Sequence, residues 1–345
     1  MADTDPRLMQ PYLGLETGIP PLRVPATVED WLFHRDLTRR TLLELLGDLP
    51  PRPSPVQATV LGTEQRDGFR VERVSFDNGA GVPVPGYVLI PDGVTAGAPA
   101  VLFHHQHAGR YDAGKDEILR PDWPVPGVCA GAEFARKGHV VLAIDAYAFG
   151  ERRWHGPSGQ KEEGSPTEWS LSKMFLWQGA TLWGMMVRDD QIALDYLCSR
   201  PEVDAGGIAS LGMSMGSTRT WWLAALDDRI ACAVCVVCLT HYQTLIEQGL
   251  LWAHGIYYFV PNVLRHFDTE TIVSLIAPRA LLTLSGELDQ GSPIAGVRII
   301  NEACEAAYAL HGRPERFRGV LYPGVDHAYT EEMWAETLAW LQRWV

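Results

Sequence analysis

The chain has 345 residues, of which 46% are hydrophobic and 21% are charged, a balance typical of a globular protein with a large core. Its formal net charge is −13 and no basic stripe occurs, which excludes nucleic acid and anionic membrane surfaces as expected partners. The opening MADTDPRLMQPYLG lacks the pattern of a signal peptide, and the apolar run ACAVCVVCL is too short to span a bilayer.

Residues 1–55 are predicted to form a helical extension that contains one amphipathic helix. Thr27 and Asp30 have the spacing of a capping box, and Trp31 and several leucines follow at helical spacing. The helix is expected to end at Gly47, before the proline-rich LPPRPSPV. Such a helix could serve an interface between copies of the chain, so a homo-oligomer is a hypothesis.

Strand and helix patterns alternate from residue 56 to 345. Strand patterns occur in FRVERVSFD, VPGYVLIP, PAVLFHH, GHVVLAIDAY, GIASLGM, ACAVCVV, RALLTLSG and RFRGVLYPG, with helical stretches between most of them. This alternation predicts an α/β catalytic domain in which helices cover both faces of a mostly parallel sheet. Two stretches, at about 148–180 and 240–268, interrupt it and are predicted to be cap-like insertions.

Three of the six cysteines recur at a spacing of three residues. Cys232, Cys235 and Cys238 can be read as a metal site, but they lie in an apolar run that predicts a central strand. Side chains alternate between the two faces of a strand, so Cys232 and Cys235 are expected on opposite sides of the sheet. We therefore favour buried structural cysteines in a reduced, cytoplasmic protein.

The stretch SLGMSMGS contains a G-x-S-x-G sequence with Ser214 at its centre. It falls between the predicted strand GIASL and a predicted helix that begins near Met215. A sharp turn at this junction raises the serine above the carboxyl edge of the sheet, where open α/β folds bind ligands. Strand and helix approach closely there, so the flanking Gly212 and Gly216 must be small.

Partners for the serine follow later strands. A serine hydroxyl is a weak nucleophile and needs a base that a third group holds in place. In this fold class the chain order is serine, acid, histidine. Glu287 and Asp289 come after RALLTLSG, and His327 comes after RFRGVLYPG. These positions predict that an acid, a histidine and Ser214 meet at one edge of the sheet.

Five stretches carry a resemblance to a known family: VLFHHQHAG, GHVVLAIDAYAFGER, DDQIALDYLCSRPEVDAGGIASLGMSMGS, SGELDQGSP and YPGVDHAY. Residues from about 70 to 345 resemble the α/β-hydrolase superfamily, particularly its dienelactone-hydrolase-like and acetyl xylan esterase-like branch. The resemblance implies Ser214 as nucleophile, Asp289 as acid and His327 as general base, with no metal or organic cofactor. Asp289 matches the G-x-x-D position of the family, and Glu287 is the alternative acid.

The resemblance also implies an oxyanion hole made by the backbone N–H groups of Met215 and His107. Relatives usually carry His-Gly in the loop of His107, whereas this chain has His105 followed by Gln106. His104, His105 and His107 also permit a metal site, because imidazole is a common ligand. No companion motif of carboxylate and histidine follows them, so we favour the hydrolase interpretation.

Aromatic residues are frequent in both insertions and could form a cap that stacks on a sugar or holds an apolar acyl group. The alternative is that they only pack the insertions onto the sheet. Four residues of these stretches are candidate substrate-binding residues: Arg152, Trp154, Trp177 and Tyr258. For Arg152, an ordinary salt bridge is the alternative.

Together these features predict a serine esterase that acts on a small-molecule ester, such as an acetylated sugar or a lactone. Amide cleavage in the manner of prolyl-oligopeptidase-like peptidases is one alternative, which the shortness of the N-terminal extension disfavours. A binding protein that has kept the fold without turnover is another, which the complete set of Ser214, Asp289 and His327 disfavours.

Overall fold

One large sheet organises the molecule. The computed structural model describes Ile19, residues 21–121 and residues 124–345. In these residues nine strands pair in the order β1-β2-β3-β5-β4-β6-β7-β8-β9. The signal-peptide expectation and the start of the predicted extension concern residues 1–18, which lie outside the described residues.

The first part of the sheet is antiparallel and the larger part is parallel. The strands are β1 (Gln57–Arg66), β2 (Phe69–Asp77), β3 (Val84–Pro91), β4 (Ala98–His104), β5 (Val140–Ile144), β6 (Val203–Met213), β7 (Ile230–Val236), β8 (Ala280–Gly286) and β9 (Phe317–Tyr322). β1, β2, β3 and β5 pair antiparallel in succession, and all pairs from β5 to β9 are parallel. The predicted α/β fold with a mostly parallel sheet is confirmed.

Helices lie on both faces of this sheet. They are α1 (Val28–Leu46), α2 (Ala130–Arg136), α3 (Ser165–Trp177), α4 (Leu182–Ser199), α5 (Met215–Leu226), α6 (Tyr242–Glu247), α7 (Thr269–Ser274), α8 (Ile294–Leu310) and α9 (Glu331–Trp344). One core cluster includes residues of α1, α4, α5 and α8, and the other includes residues of α2 and α9. Among the described helices, none combines the length and the apolar character that a membrane span requires.

The helix of the N-terminal extension is part of the main core. Thr27 Oγ1 accepts a hydrogen bond from Asp30 N–H at 3.1 Å, as the capping pattern predicted. Trp31 and Leu42 are fully buried in the cluster that α4 also joins, because α1 packs its apolar stripe inward. Phe33 lies on the outer side and is 70% exposed. A homo-oligomer formed through this helix stays a prediction.

The central strand β7 separates its cysteines as predicted. Cys232 belongs to one core cluster and Cys235 to the cluster on the opposite face of the sheet. Burial raises the pKa of both thiols, so they are neutral and serve as small apolar side chains. A metal site that uses both is excluded by this alternation.

Candidate active site

Ser214 lies at a sharp turn between β6 and α5. Its backbone has φ 59° and ψ −121°, and its N–H donates to the carbonyl oxygen of Val236 at 2.9 Å. A non-glycine residue adopts a positive φ only at a free-energy cost, which the surrounding structure must offset. The turn is of the kind that presents a side chain at the carboxyl edge of an α/β sheet. The sequence prediction for this junction is therefore confirmed.

The glycines on either side of Ser214 allow three backbones to meet. A Cβ at Gly212 would lie 2.5 Å from the carbonyl carbon of Gly216 and 2.6 Å from the carbonyl oxygen of His104. A Cβ at Gly216 would overlap the same His104 oxygen. Such overlaps cannot be relieved by rotating a side chain, because every atom involved is backbone. β4, β6 and α5 can therefore converge only around glycine.

Three side chains that are distant in sequence form a continuous hydrogen-bond chain at this edge. His327 Nε2 lies 2.9 Å from Ser214 Oγ, and His327 Nδ1 lies 3.0 Å from Asp289 Oδ2. Because Nδ1 faces a carboxylate it carries the ring proton, which leaves Nε2 able to accept the hydroxyl proton of Ser214. Asp289 is buried, whereas the His327 side chain is 37% exposed and open to a bound molecule.

Glu287, the alternative acid, serves a neighbouring turn. It is exposed, and its Oε2 accepts a hydrogen bond from Gly324 N–H at 2.9 Å. Asp289 instead uses Oδ1 to accept from Gly291 N–H at 2.9 Å and Oδ2 to face the histidine. The structure thus brings Asp289, and not Glu287, to His327.

A cysteine that the sequence analysis placed in the core lies beside the serine. Cys238 Sγ is 3.7 Å from Ser214 Oγ. Val237 and Cys238 have φ values of 53° and 51°, which are rare for residues other than glycine, and they bend the chain after β7. Burial raises the pKa of the Cys238 thiol. The thiol is therefore neutral and adds no negative charge next to Ser214.

The loop after β4 is held by buried partners. His105 Nε2 accepts from Ala146 N–H at 3.1 Å, and burial lowers the pKa of His105 well below its ordinary value, so the ring is neutral. Gln106 N–H donates to the buried Glu117 carboxylate at 3.1 Å and is therefore occupied. His107 N–H makes no hydrogen bond to the described part of the chain. The backbone of Gln106 and the ring of His105 are thus fixed by buried hydrogen bonds.

The ring nitrogens of His104, His105 and His107 do not converge on a point at which a metal ion could bind. His104 Nε2 lies 3.0 Å from Ser210 Oγ, and His107 Nε2 lies 2.9 Å from Glu168 Oε2 on α3. His105 faces the chain after β5 instead. A metal needs its ligand atoms to converge, and these nitrogens face three separate elements.

One other cluster in the described residues has atoms of the metal-ligating type. His241, Asp268 and Glu270 are buried, and one such atom from each lies within 4.8 Å of the others. His241 Nδ1 accepts from Thr244 N–H at 3.3 Å, so Nε2 carries the proton and faces the two carboxylates. Asp268 also accepts from the N–H of Tyr242 at 2.8 Å. These protein contacts account for the cluster.

The expectation that Arg152 binds substrate is wrong. The side chain is fully buried, and its Nη1 donates to Asp189 Oδ2 at 2.8 Å and to the Asp145 carbonyl oxygen at 3.0 Å. The guanidinium also lies 3.7 Å from the ring centroid of Tyr147. A side chain without exposed surface cannot contact a substrate, so the salt-bridge alternative is the correct one.

The two tryptophans of the first insertion differ in position. Trp177 is 92% exposed at the end of α3, nine residues beyond Glu168, which reaches His107. Nine helical residues span about 14 Å, so Trp177 lies away from the loop of His107. Trp154 is half-buried, and the Arg153 guanidinium covers one face of its ring at 3.4 Å. A substrate contact by Trp154 stays a prediction.

Tyr258 is buried and is linked through His254 to the turn that holds Asp289 and Gly291, here called the acid turn. Its ring stacks on His254, with centroids 4.5 Å apart and planes at 8°, and His254 Nε2 donates to the Gly291 carbonyl oxygen at 2.7 Å. Gly291 N–H in turn donates to Asp289. Tyr258 therefore supports the acid turn and has almost no exposed surface for a substrate. No sequence pattern indicated His254, because its role depends on a contact between insertion and turn.

The second insertion also forms a partly open apolar pocket of about 570 Å³. Its lining comprises Tyr242, Leu245, Ile246, Leu251, Tyr258, Phe259, Val260, Asn262, Val263, Leu264 and Arg265. Neither Ser214 nor His327 belongs to this lining. Tyr258 belongs to the lining, and its ring stacks on His254, whose Nε2 donates to the carbonyl oxygen of Gly291 in the acid turn.

Comparison with known proteins identifies relatives over most of the chain. The model of a family described as "Abhydrolase family" matches residues 22–335. A protein of Bacillus subtilis (strain 168) named "Putative hydrolase YtaP" is 37% identical over 307 residues, which are 89% of this chain and 98% of the relative.

Solved structures share the fold at lower identity. A glucuronoyl esterase from Solibacter usitatus is 17% identical with a TM-score of 0.67, over 95% of this chain and 99% of that chain. An acetyl xylan esterase from Paenibacillus sp. R4 is 20% identical with a TM-score of 0.57, over 94% and 97% of the two chains. At these identities the likeness concerns the fold.

Proposed function

This chain belongs to the Abhydrolase family, and on that premise we propose that it hydrolyses carboxylic esters through an acyl-enzyme on Ser214. One fold supports many reactions, so the family alone does not identify the chemistry. The observation that carries the proposal is the hydrogen-bond chain from Asp289 through His327 to Ser214. It has the acid, base and nucleophile in the relation that acyl transfer needs.

In the proposed reaction, Ser214 Oγ attacks the carbonyl carbon of the ester while His327 Nε2 takes the hydroxyl proton. The imidazolium then gives this proton to the alkoxy oxygen as the C–O bond breaks, and the alcohol leaves. Water attacks the acyl-serine, the same nitrogen takes its proton, and the acid is released as the serine is restored. Asp289 orients the imidazole and stabilises its positive charge.

The negative charge of the tetrahedral intermediate would be stabilised by the N–H groups of Met215 and His107. Met215 is the first residue of α5, so its N–H takes no part in the hydrogen bonds of that helix. The helix N-terminus adds a positive partial charge close to Ser214. His107 N–H is likewise without a partner in the described part of the chain.

We place an acetylated sugar first among the substrates, followed by other small esters and lactones. Exposed aromatic faces in the two insertions support this choice, because flat rings stack on sugar faces. Besides that of Trp177, which lies away from the loop of His107, they are those of Trp169, Trp252 and Phe259. The names of the fold relatives, an acetyl xylan esterase and a glucuronoyl esterase, agree with a carbohydrate ester.

A fluorophosphonate probe tests the nucleophile. We expect one adduct per chain, and peptide mass spectrometry should map it to Ser214, because in the described part of the chain this hydroxyl alone lies within hydrogen-bond distance of His327 Nε2. The matched control is Ser217→Ala, which removes a buried serine hydroxyl one turn further along α5 and should leave labelling unchanged. Labelling at another residue, or none, would contradict the proposal. A panel of acetylated sugars, aryl acetates, lactones and peptide amides then ranks the substrates.

Replacing each of the two acids with its amide separates their roles. Asp289→Asn should lower kcat by about 10³- to 10⁴-fold, because the amide no longer stabilises the imidazolium or holds its tautomer. Glu287→Gln should change kcat by less than about threefold, because the Glu287 carboxylate bonds only to the backbone N–H of Gly324 among the described residues. Steady-state kinetics on an aryl ester measures both, and the reverse order of effects would assign the acid to Glu287.

A further inference from the structure

Aromatic rings from three parts of the chain enclose the imidazole of His107. Tyr257 stacks on it, with centroids 5.1 Å apart and planes at 23°. Tyr111 and Phe149 meet it edge-on, with centroids 5.0 Å and 5.1 Å away. One polar side chain completes the enclosure: Glu168 of α3, whose Oε2 lies 2.9 Å from His107 Nε2. The ring is thus held by packing on its faces and edges and by hydrogen bonds at both of its nitrogens.

The hydrogen bonds of His107 define which nitrogen carries the proton. Gly109 N–H donates to Nδ1 at 3.1 Å, so Nδ1 is the acceptor and Nε2 donates to Glu168. The hydroxyl of Tyr111 donates to the same carboxylate oxygen at 3.1 Å. Glu168 is buried, with 1% of its surface exposed, and hydrogen bonds to a carboxylate are strong in such surroundings.

The backbone beside His107 needs this support. Ala108 has a φ of 43°, which is unfavourable for a residue with a Cβ. The preceding Gln106 stands where a glycine is usual in the resembling family. A strained turn persists only where surrounding contacts over-determine it. The contacts here are Glu117 on the backbone of Gln106 and Glu168 on the side chain of His107.

We propose that Glu168 is a positioning residue for the oxyanion hole: it anchors the His107 ring and thereby directs the His107 backbone N–H toward Ser214. The inference rests on the proposed function, because it assigns that N–H to the oxyanion. Glu168 lies in the first insertion, so by this inference the insertion helps to build the reaction centre. The substrate need not touch Glu168 for this effect.

Replacing Glu168 with alanine should lower kcat by about 10- to 100-fold with KM nearly unchanged, because a displaced donor fails mainly in the transition state. Glu168→Gln should stay within about threefold of wild type, since its amide oxygen can still accept from His107 and Tyr111. The matched control is Glu162→Ala, which removes contacts to Ser170 and Ser158 within the same insertion. It should leave kcat unchanged.

A double variant tests whether Glu168 acts through His107. His107→Ala keeps the backbone N–H but removes the ring, so it should reproduce the loss seen in Glu168→Ala. Adding Glu168→Ala to His107→Ala should then lower kcat no further. If the double variant instead lost the product of the two single factors in kcat, the inference would be overturned. A wild-type kcat in Glu168→Ala would overturn it as well. Melting temperatures of all variants show whether the lost rate follows from unfolding.

A spectroscopic measurement separates this inference from the proposed function. Labelling with ¹⁵N-histidine gives signals from 11 histidines, and His107→Ala identifies that of His107. Glu168→Ala should shift the backbone amide signal of His107, while Glu162→Ala should not. An unmoved signal would overturn the positioning role even in an active enzyme. If the fluorophosphonate probe does not label Ser214 in the wild type, the proposed function fails. The contact between Glu168 and His107 is still tested in that case, because the amide signal of His107 does not depend on activity.

Discussion

Replacing His327 with alanine is expected to lower kcat by about 10⁴- to 10⁶-fold, and replacing Ser214 with alanine by a similar factor. Without the imidazole, no other base among the described residues lies within hydrogen-bond distance of Ser214 Oγ, since the thiol of Cys238 is neutral. The variant that lacks both side chains should be no slower than either single variant, because nucleophile and base act as one unit.

The measurement is kcat for a small aryl ester, with a melting curve for each variant. Folding should persist in His327→Ala, because the His327 side chain is partly exposed and follows the last strand. His266→Ala serves as the control: it makes the same exchange at an exposed histidine of the second insertion and should keep the wild-type rate. A His327→Ala variant with kcat within tenfold of wild type would exclude this residue as the base.

Adding a single methyl group at Gly216 is expected to destabilise the whole fold. In Gly216→Ala the new Cβ would overlap the carbonyl oxygen of His104, and relief requires α5 to move away from β4. Overpacking in a core usually costs about 1–3 kcal/mol, and we expect about 3 kcal/mol or more because the clash involves backbone. Activity should fall as well, since the same movement displaces Ser214.

The control for this prediction is Gly62→Ala in β1. A Cβ at Gly62 would meet no atom within 4 Å, so this variant should change the free energy of unfolding by less than about 0.5 kcal/mol. Urea denaturation of both variants gives the comparison. If Gly216→Ala were as stable as Gly62→Ala, the close approach of β4, β6 and α5 around Ser214 would be disproved.

Local pattern was sufficient to predict most of the elements that position the site. The apolar run before Gly212 and the small residues after it predicted a strand, a turn and a helix, and the structure has β6, Ser214 and α5 in that order. The chain order of serine, acid and histidine predicted that Ser214, one of the acids Glu287 and Asp289, and His327 would meet. Parallel strands bring their carboxyl ends to one edge, so residues that follow different strands become neighbours.

Other features left no pattern in the sequence. β1 was missed because almost all of its residues are exposed, so no hydrophobic alternation marks it, and pairing with β2 forms it. Arg152 was predicted near the pocket because it follows a strand, yet its guanidinium lies in the interior, where it pairs with the buried carboxylate of Asp189. Which carboxylate pairs with a charged side chain depends on how distant elements pack, and the spacing of residues along the chain does not predict that packing.

The sequence by itself determined the α/β fold, the turn at Ser214 and the histidine that meets it, and it narrowed the acid to Asp289 or Glu287. These follow from short-range pattern and from the geometry of parallel sheets. Only the tertiary structure decided between Asp289 and Glu287, supplied His254 behind the acid turn, and joined Glu168 to His107. Each of these depends on where an insertion or a loop packs, and such contacts arise only when residues remote in sequence are brought within hydrogen-bond distance.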